Sequence, residues 1–204
     1  MIAILDYGIG NVNSIVNMFK KIGVYSKLVK DKYEVEEADK IVLPGVGAFD
    51  YGMKKLNEAK LTEVIKRETL INKKPILGIC LGMQMLGRRS EEGKSEGLGL
   101  IGFDNIKFRF EDKKLIVPHM GWNYTKNMII DDPLLVDLPL DQRYYFVHSF
   151  HALCDKKENI LMECDYGYNF TAAVKQDNIY GVQFHPEKSH KFGMKLLKNF
   201  AENL

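Results

Sequence analysis

Three cysteines, at positions 80, 154 and 164, are all that this chain of 204 residues contains. So few, so widely spaced, they make neither a disulfide framework nor a zinc knuckle, and they suit a reducing compartment. The chain also lacks an excess of charge of either sign: 29 Lys and Arg against 27 Asp and Glu leave a formal charge of +2. With no basic stripe interleaved with aromatics, that balance argues against a nucleic-acid partner. No run of about 20 apolar residues is available to cross a bilayer, so no membrane association is expected. The opening Met1-Ile2-Ala3-Ile4-Leu5-Asp6 has no charged lead, long apolar segment or small-residue cleavage site, which predicts a cytoplasmic protein. Internal repeats, low-complexity linkers and a G-x-x-x-x-G-K-[ST] phosphate loop are likewise missing. Asp6-Tyr7-Gly8-Ile9-Gly10-Asn11-Val12-Asn13 begins like a dinucleotide fingerprint but has Asn13 where the third glycine belongs, so Asn11 or Asn13 reads as a helix cap.

The apolar fraction is 46%. At this length the chain can bury about 70% of its unfolded surface, enough for one substantial core, so residues 1–204 are expected to form one domain. Ile2 to Asp6 reads as a buried strand, followed by a glycine turn and a helix with Ile15, Phe19 and Ile22 on one face and Gly23 at its end. Tyr25 to Lys30 and Lys40 to Leu43 read as strands, Asp50 to Asn57 and Leu61 to Asn72 as helices, and Ile76 to Ile79 as another strand. Strands alternating with helices predict an α/β fold, with a mostly parallel central sheet covered by helices on both faces. Beyond Ile101 the texture changes. Ile106 to Phe110, Leu115 to Val117, Tyr144 to Leu153, Ile160 to Cys164 and Phe170 to Val174 all read as strands, expected to extend the sheet in antiparallel or mixed fashion. A closing helix is expected from Phe192 to Ala201, with Phe192, Leu196, Leu197 and Phe200 at helical spacing.

In Pro75-Ile76-Leu77-Gly78-Ile79-Cys80-Leu81-Gly82-Met83-Gln84, an apolar run stops at a cysteine with a glycine two positions away on each side. A strand, sharp turn and helix start need that pattern to hold one thiol up for attack. The glycines remove side chains that would collide where the backbone doubles back, and a helix N-terminus favours thiolate over thiol. An isolated cysteine is more often a small buried hydrophobe. The glycine bracket reverses that preference and makes Cys80 a candidate nucleophile.

A thiolate needs a base, and the base needs a group that orients it. Ile179-Tyr180-Gly181-Val182-Gln183-Phe184-His185-Pro186-Glu187 is an apolar strand-like run ending in a histidine, with Pro186 forcing extended backbone on His185. Two positions apart on an extended segment, His185 and Glu187 are expected to project to one side, so that Glu187 orients the imidazole. Oxyanion donors are expected at Gly45-Val46-Gly47, a glycine-rich turn closing the strand-like run from Ile41. All three candidate elements follow strands at their carboxyl ends, where ligand crevices open in such sheets.

Other features read as structural. His148 and His151, three apart in one strand-like run, should lie on opposite faces, which argues against a metal pair. Cys154 and Cys164 lack the glycine bracket and read as core or surface thiols, and the Lys54-Lys55 and Lys113-Lys114 pairs read as solvated faces.

With cysteine first, histidine later and the acid two residues beyond it, the chain resembles the class I (triad) glutamine amidotransferases. It looks most like the glutaminase subunits of imidazole glycerol phosphate synthases. Asp6-Tyr7-Gly8-Ile9-Gly10-Asn11, Pro44-Gly45-Val46-Gly47, the cysteine elbow, Pro118-His119-Met120-Gly121-Trp122-Asn123, Tyr144-Tyr145-Phe146-Val147-His148-Ser149 and Phe184-His185-Pro186-Glu187-Lys188-Ser189 carry the resemblance from end to end. It implies a class I amidotransferase-like fold and hydrolysis of L-glutamine through a thioester on Cys80, with His185 and Glu187 completing the triad. By matching position, Gly45, Val46, Gly47 and Leu81 would serve the oxyanion, and Gln84, Glu92 and the backbone of His148, Ser149 and Phe150 would hold glutamine. Ammonia would pass to a (β/α)8-barrel cyclase partner for imidazole glycerol phosphate and AICAR formation in histidine biosynthesis, with Asn11, Trp122, Tyr145 and Lys188 toward that partner. No cofactor and no metal are implied.

Lys188-Ser189-His190-Lys191-Phe192-Gly193-Met194 and Phe49-Asp50-Tyr51-Gly52-Met53 look more like paralogues found with surface-saccharide genes, where the ammonia serves sugar amidation. Two further readings compete: a stand-alone cysteine hydrolase, and a non-catalytic protein that keeps the fold to bind the barrel.

Overall fold

The computed structural model describes residues 1–111 and 114–204. Its first part alternates strand and helix: β1 (Ile2–Leu5), α1 (Val12–Lys21), β2 (Ser26–Val29), α2 (Lys32–Glu37), β3 (Lys40–Gly45), α3 (Phe49–Glu58), α4 (Thr62–Leu70), β4 (Ile76–Cys80) and α5 (Leu81–Leu86). Then come β5 (Arg89–Ser90), β6 (Phe103–Lys107), β7 (His119–Asn127), β8 (Arg143–His148), β9 (Phe150–Cys154), β10 (Ile160–Asp165), β11 (Asn169–Gln176) and β12 (Ile179–Val182), and α6 (His190–Asn203) closes the chain.

The sheet runs β2-β1-β3-β4-β12-β11-β10-β7-β8, with β9 joined to β11 and carrying β6 and β5 off that path. From β2 to β12 every pairing is parallel, and from β12 to β8 every pairing is antiparallel. The chain therefore makes a long antiparallel excursion and returns to lay β12 beside β4. That return brings the C-terminal third of the sequence against the elbow strand.

Side chains alternate across β1: Ile2 and Ile4 enter a core with Ile15, Phe19, Leu196 and Phe200 of α1 and α6, while Ala3 and Leu5 enter another with Phe49, Leu56, Ile65 and Met83 of α3, α4 and α5. Helices thus cover both faces of the parallel part. Each large side chain fully buried this way contributes about 1.5–3 kcal/mol, and Phe19, Phe49 and Phe200 are all wholly inaccessible.

Several expectations are corrected. Leu115 to Val117 forms no strand. The run from Tyr144 to Leu153 is two strands broken at Ser149, because the chain leaves β7 as neighbour and takes up β6 and β11. Aromatic and other strand-forming residues flank Ser149 on both sides, so the run reads as a single strand. Consequently His148 and His151 do not lie on opposite faces; both rings pack on Phe108, with centroids 5.2 and 4.6 Å away. β7 has no apolar run to announce it, since His119, Asn123 and Thr125 occupy its less exposed positions. The short α2 was not anticipated either, although Asp31 caps it by accepting from the Tyr33 and Glu34 amides. Asn11 takes the N-cap position of α1 without a capping side-chain bond. Lys54 and Lys55 both pair with Glu58, and Lys113 lies outside the described residues.

Candidate active site

Gly45 of β3 stands beside Cys80 at the end of β4, and Val182 of β12 stands beside Ile79. Three adjacent parallel strands thus deliver the glycine turn, the thiol and the histidine segment to one edge of the sheet.

Cys80 occupies the N-cap position of α5 with φ at +54°, a region that costs a non-glycine residue about 1–3 kcal/mol. The flanking glycines make the turn possible. A Cβ on Gly78 would lie 2.8 Å from the Gly82 carbonyl, and one on Gly82 only 1.8 Å from the carbonyl oxygen of Leu43. α5 can therefore start directly over β3, with its first amides, Leu81 among them, lacking intrahelical acceptors.

His185 is anchored through its backbone: its amide donates to the Tyr145 carbonyl at 2.9 Å, and the Ser189 hydroxyl donates to its carbonyl at 2.6 Å. The same hydroxyl accepts from the Tyr145 amide, so Ser189 stitches this segment to β8. His185 Nδ1 lies 2.7 Å from Glu187 Oε1. The expected contact is made, but by a different route, because Pro186–Lys188 forms a 3-10 turn that curls the carboxylate back under the ring. The other ring nitrogen, Nε2, is buried without a hydrogen-bond partner, and Cys80 is one of the two groups that raise the ring's pKa. Burial alone would lower the His185 pKa, but the Cys80 sulfur and the Glu187 carboxylate outweigh it and push it up to about 10. A charged imidazolium beside the sulfur is the state that favours a thiolate.

Cys80, His185, Gln84, Glu92, Val46, Gly47, Leu81, Lys188 and residues 147–150 line one cavity of about 540 Å³. That volume suits a small amino acid with room for water. Gln84 Nε2 donates to the Phe150 carbonyl at 3.2 Å and to Gln183 Oε1 at 3.1 Å. Glu92 accepts from the Phe49 amide at 2.8 Å, and Asp50 accepts from the Lys94 and Ser95 amides at 3.0 and 2.8 Å, so the start of α3 and the Glu92 loop hold each other.

Two residues at the site went unremarked in the sequence. Gln183 is wholly buried, with Nε2 3.9 Å from the Cys80 sulfur; its signal was a polar residue inside an apolar strand-like run, since such a group needs a partner. Tyr7, also buried, donates its hydroxyl to the Pro44 carbonyl and so holds the strand leading into the glycine turn. Burial chiefly, then the charge of Cys80, raises its pKa, which keeps the phenol a donor.

The four residues expected toward a partner are all accessible, and three form one patch. The Trp122 and Tyr145 ring centroids are 6.3 Å apart, and Lys188 Nζ lies 5.6 Å from the Tyr145 centroid. Trp122 also stacks on His190 at 5.5 Å. Asn11 is exposed at the start of α1, whose helix packs against the Pro186–Lys188 turn. Cys154 and Cys164 stand apart from the site as free thiols, and burial pushes them up to about 11 and about 12. Among the described residues, no group of three or more His, Cys, Asp or Glu is placed to hold a metal ion, and no helix is long and apolar enough to cross a membrane.

A thiol on a strand-to-helix elbow, beside a histidine held by a carboxylate, defines a class of amide-hydrolysing enzyme, and the chain belongs to the class-I glutamine amidotransferase family, whose model matches residues 3–204. Within that family it is 49% identical over 203 residues to imidazole glycerol phosphate synthase subunit HisH 2 of Pseudomonas aeruginosa, with 99% of each chain covered. The subunit of the same name in Methanococcus maripaludis is 52% identical over 202 residues, again with 99% of each covered. The fold is also that of PurLQS from Thermotoga maritima, at a TM-score of 0.75 and 18% identity, covering 98% of this chain and 96% of that one.

Proposed function

We propose that this chain is the glutaminase subunit of an imidazole glycerol phosphate synthase, acting in the cytoplasm and supplying ammonia to a (β/α)8-barrel cyclase subunit in histidine biosynthesis. The observation that carries the reading is Cys80 and His185 lining one cavity, with the buried Glu187 carboxylate 2.7 Å from Nδ1 of the His185 ring. The HisH relatives, about half identical over the whole chain, support the pathway.

The Cys80 thiolate attacks the side-chain amide carbon of glutamine, and the carbonyl electrons move onto oxygen. Backbone donors of Gly45 to Gly47 and the free amide of Leu81 stabilise that charge, and such donors are worth about 3–4 kcal/mol each in comparable sites. His185, protonated, gives its proton to the leaving nitrogen, so ammonia departs and a thioester remains. Neutral His185 then takes a proton from water, hydroxide attacks the thioester, and glutamate leaves as the thiolate is regenerated. Glu187 holds the ring through both steps. Gln84, Glu92 and the backbone of His148 to Phe150 hold the substrate.

The accessible patch of Trp122, half-buried Tyr145 and Lys188, with Asn11, supports a docking face for the cyclase. A protected route to that partner has a chemical reason: at neutral pH, ammonia released into water is protonated and loses its nucleophilicity. Glutamate release measured with and without the cyclase subunit tests the reading. Stimulation by the partner, and loss of release in Cys80→Ala, are expected. Equal turnover without the partner, or hydrolysis of peptides and esters in preference to glutamine, would defeat it.

A further inference from the structure

We propose that His119 and His148 are positioning residues for the glutamine site, forming with Asn123 a one-directional chain of hydrogen bonds that ends on the Phe150 carbonyl and holds the substrate-binding backbone in place. The inference rests on the glutaminase reading above and deepens it.

The direction follows from donors and acceptors alone. A carbonyl oxygen only accepts, so His148 Nδ1, 2.8 Å from the Phe150 carbonyl, carries the proton. The ring is uncharged, because burial, outweighing the Phe150 bond, pulls His148 down to about 3. His148 Nε2 is therefore an acceptor, and the atom facing it at 3.1 Å, His119 Nδ1, must be a donor. Burial lowers His119 to about 4, so this ring too is neutral and its Nε2 accepts. The group beside that nitrogen is the Asn123 amide at 3.4 Å, whose second hydrogen goes to the Asp165 carbonyl at 2.7 Å. Its oxygen meanwhile accepts from the Tyr124 amide at 2.8 Å, which fixes the orientation of the amide. Each group donates once along the chain, and no other assignment satisfies all of these contacts.

The chain ends where it matters. The Phe150 carbonyl also accepts from Gln84, so one oxygen receives a donor from each side of the cavity wall. It belongs to the first residue of β9, just past Ser149, where the chain exchanges β7 for β6 as its ladder neighbour. The histidine pair adds a side-chain tie at that change-over, across the β7 to β8 register that sets His119 opposite His148. His119 is itself clamped between Phe146 and Tyr166, at 4.9 and 4.1 Å between centroids.

The test is His119→Phe in the full chain, assayed with its cyclase partner. Phe keeps the stacked ring and removes the donor. The KM for glutamine should rise about tenfold, the loss expected when a buried acceptor is orphaned, with kcat within about threefold. His119→Asn, which restores an amide donor near the Nδ1 position, should recover most of that rise. A purely packing role would lower stability in both variants and leave KM unchanged, and that result overturns the proposal while wild-type turnover leaves the glutaminase reading intact. Nitrogen-15 imidazole spectra of the wild-type chain give an answer independent of activity and of how the variants fold. Both rings should appear as neutral Nδ1-H tautomers at pH 7, and an Nε2-H tautomer at either position overturns the chain. Absence of glutamine turnover in the wild-type complex would instead overturn the glutaminase reading, and this inference with it.

Discussion

His185 Nδ1 and Glu187 Oε1 are 2.7 Å apart, with side chains only 2% and 3% exposed. Water therefore cannot take over if the carboxylate is removed, and the imidazole loses both its orientation and the charge that favours its protonated form. Glu187→Gln keeps the size and a hydrogen-bonding oxygen but not the charge. Glutamine hydrolysis should fall about 10³-fold in kcat, and the pH profile should show the histidine titrating at lower pH than in the wild-type chain. Unchanged kcat would show that Glu187 takes no part.

The same pair makes stability depend on pH. The folded His185 pKa is raised to about 10 from an ordinary 6.5, after the Cys80 and Glu187 contributions overcome burial. Between those values the folded chain keeps a proton that the unfolded chain has released, so this group's stabilisation is fully present below pH 6.5 and is lost as pH rises through about 10. Denaturant midpoints from pH 6 to 10 should decline, and the decline should be shallower in Cys80→Ala, where one of the groups raising the pKa is gone. A decline just as steep in the variant would show that other groups dominate.

Gly82 is where the elbow is least tolerant. Its hypothetical Cβ would lie 1.8 Å from the Leu43 carbonyl oxygen, which is sheet backbone and cannot swing aside. Gly82→Ala should cost about 3 kcal/mol, at the upper end of overpacking, and should disturb Cys80 two residues before it. Equilibrium denaturation reads the first effect. The rate at which a glutamine-analogue electrophile labels Cys80 reads the second.

How much of this was legible in sequence follows from how local each contact is. The elbow was readable because Gly78, Cys80 and Gly82 act on one another within five residues. The parallel half was readable because strands buried on both faces leave continuous apolar runs. His185 and Glu187 were readable as a pair, although the 3-10 turn between them was not. The partners of Gln183, Ser189 and His119 were hidden, since strand register sets them: Gln183 meets Cys80 only because β12 returns beside β4, and His119 meets His148 only through the β7 to β8 pairing. A polar residue in an apolar run declares that a partner exists, not which one it is.

The Tyr7 hydroxyl reaches across from the end of β1 to the Pro44 carbonyl, one residue before the turn expected to carry the oxyanion donors. A Cβ on Gly45 would lie 3.1 Å from that same hydroxyl, so the phenol also limits how far the turn can move. Tyr7→Phe keeps the ring and leaves the Pro44 carbonyl without its partner, at a cost of about 1–3 kcal/mol. If the hydroxyl holds the turn in its working geometry, kcat for glutamine should fall about tenfold, the equivalent of about 1.4 kcal/mol of lost transition-state stabilisation. KM and electrophile labelling of Cys80 should stay close to wild type, because the substrate contacts and the thiol are elsewhere. A loss of stability with kcat unchanged would instead make Tyr7 a packing residue, and the glycine turn would then owe its shape to Gly45 and Gly47 alone.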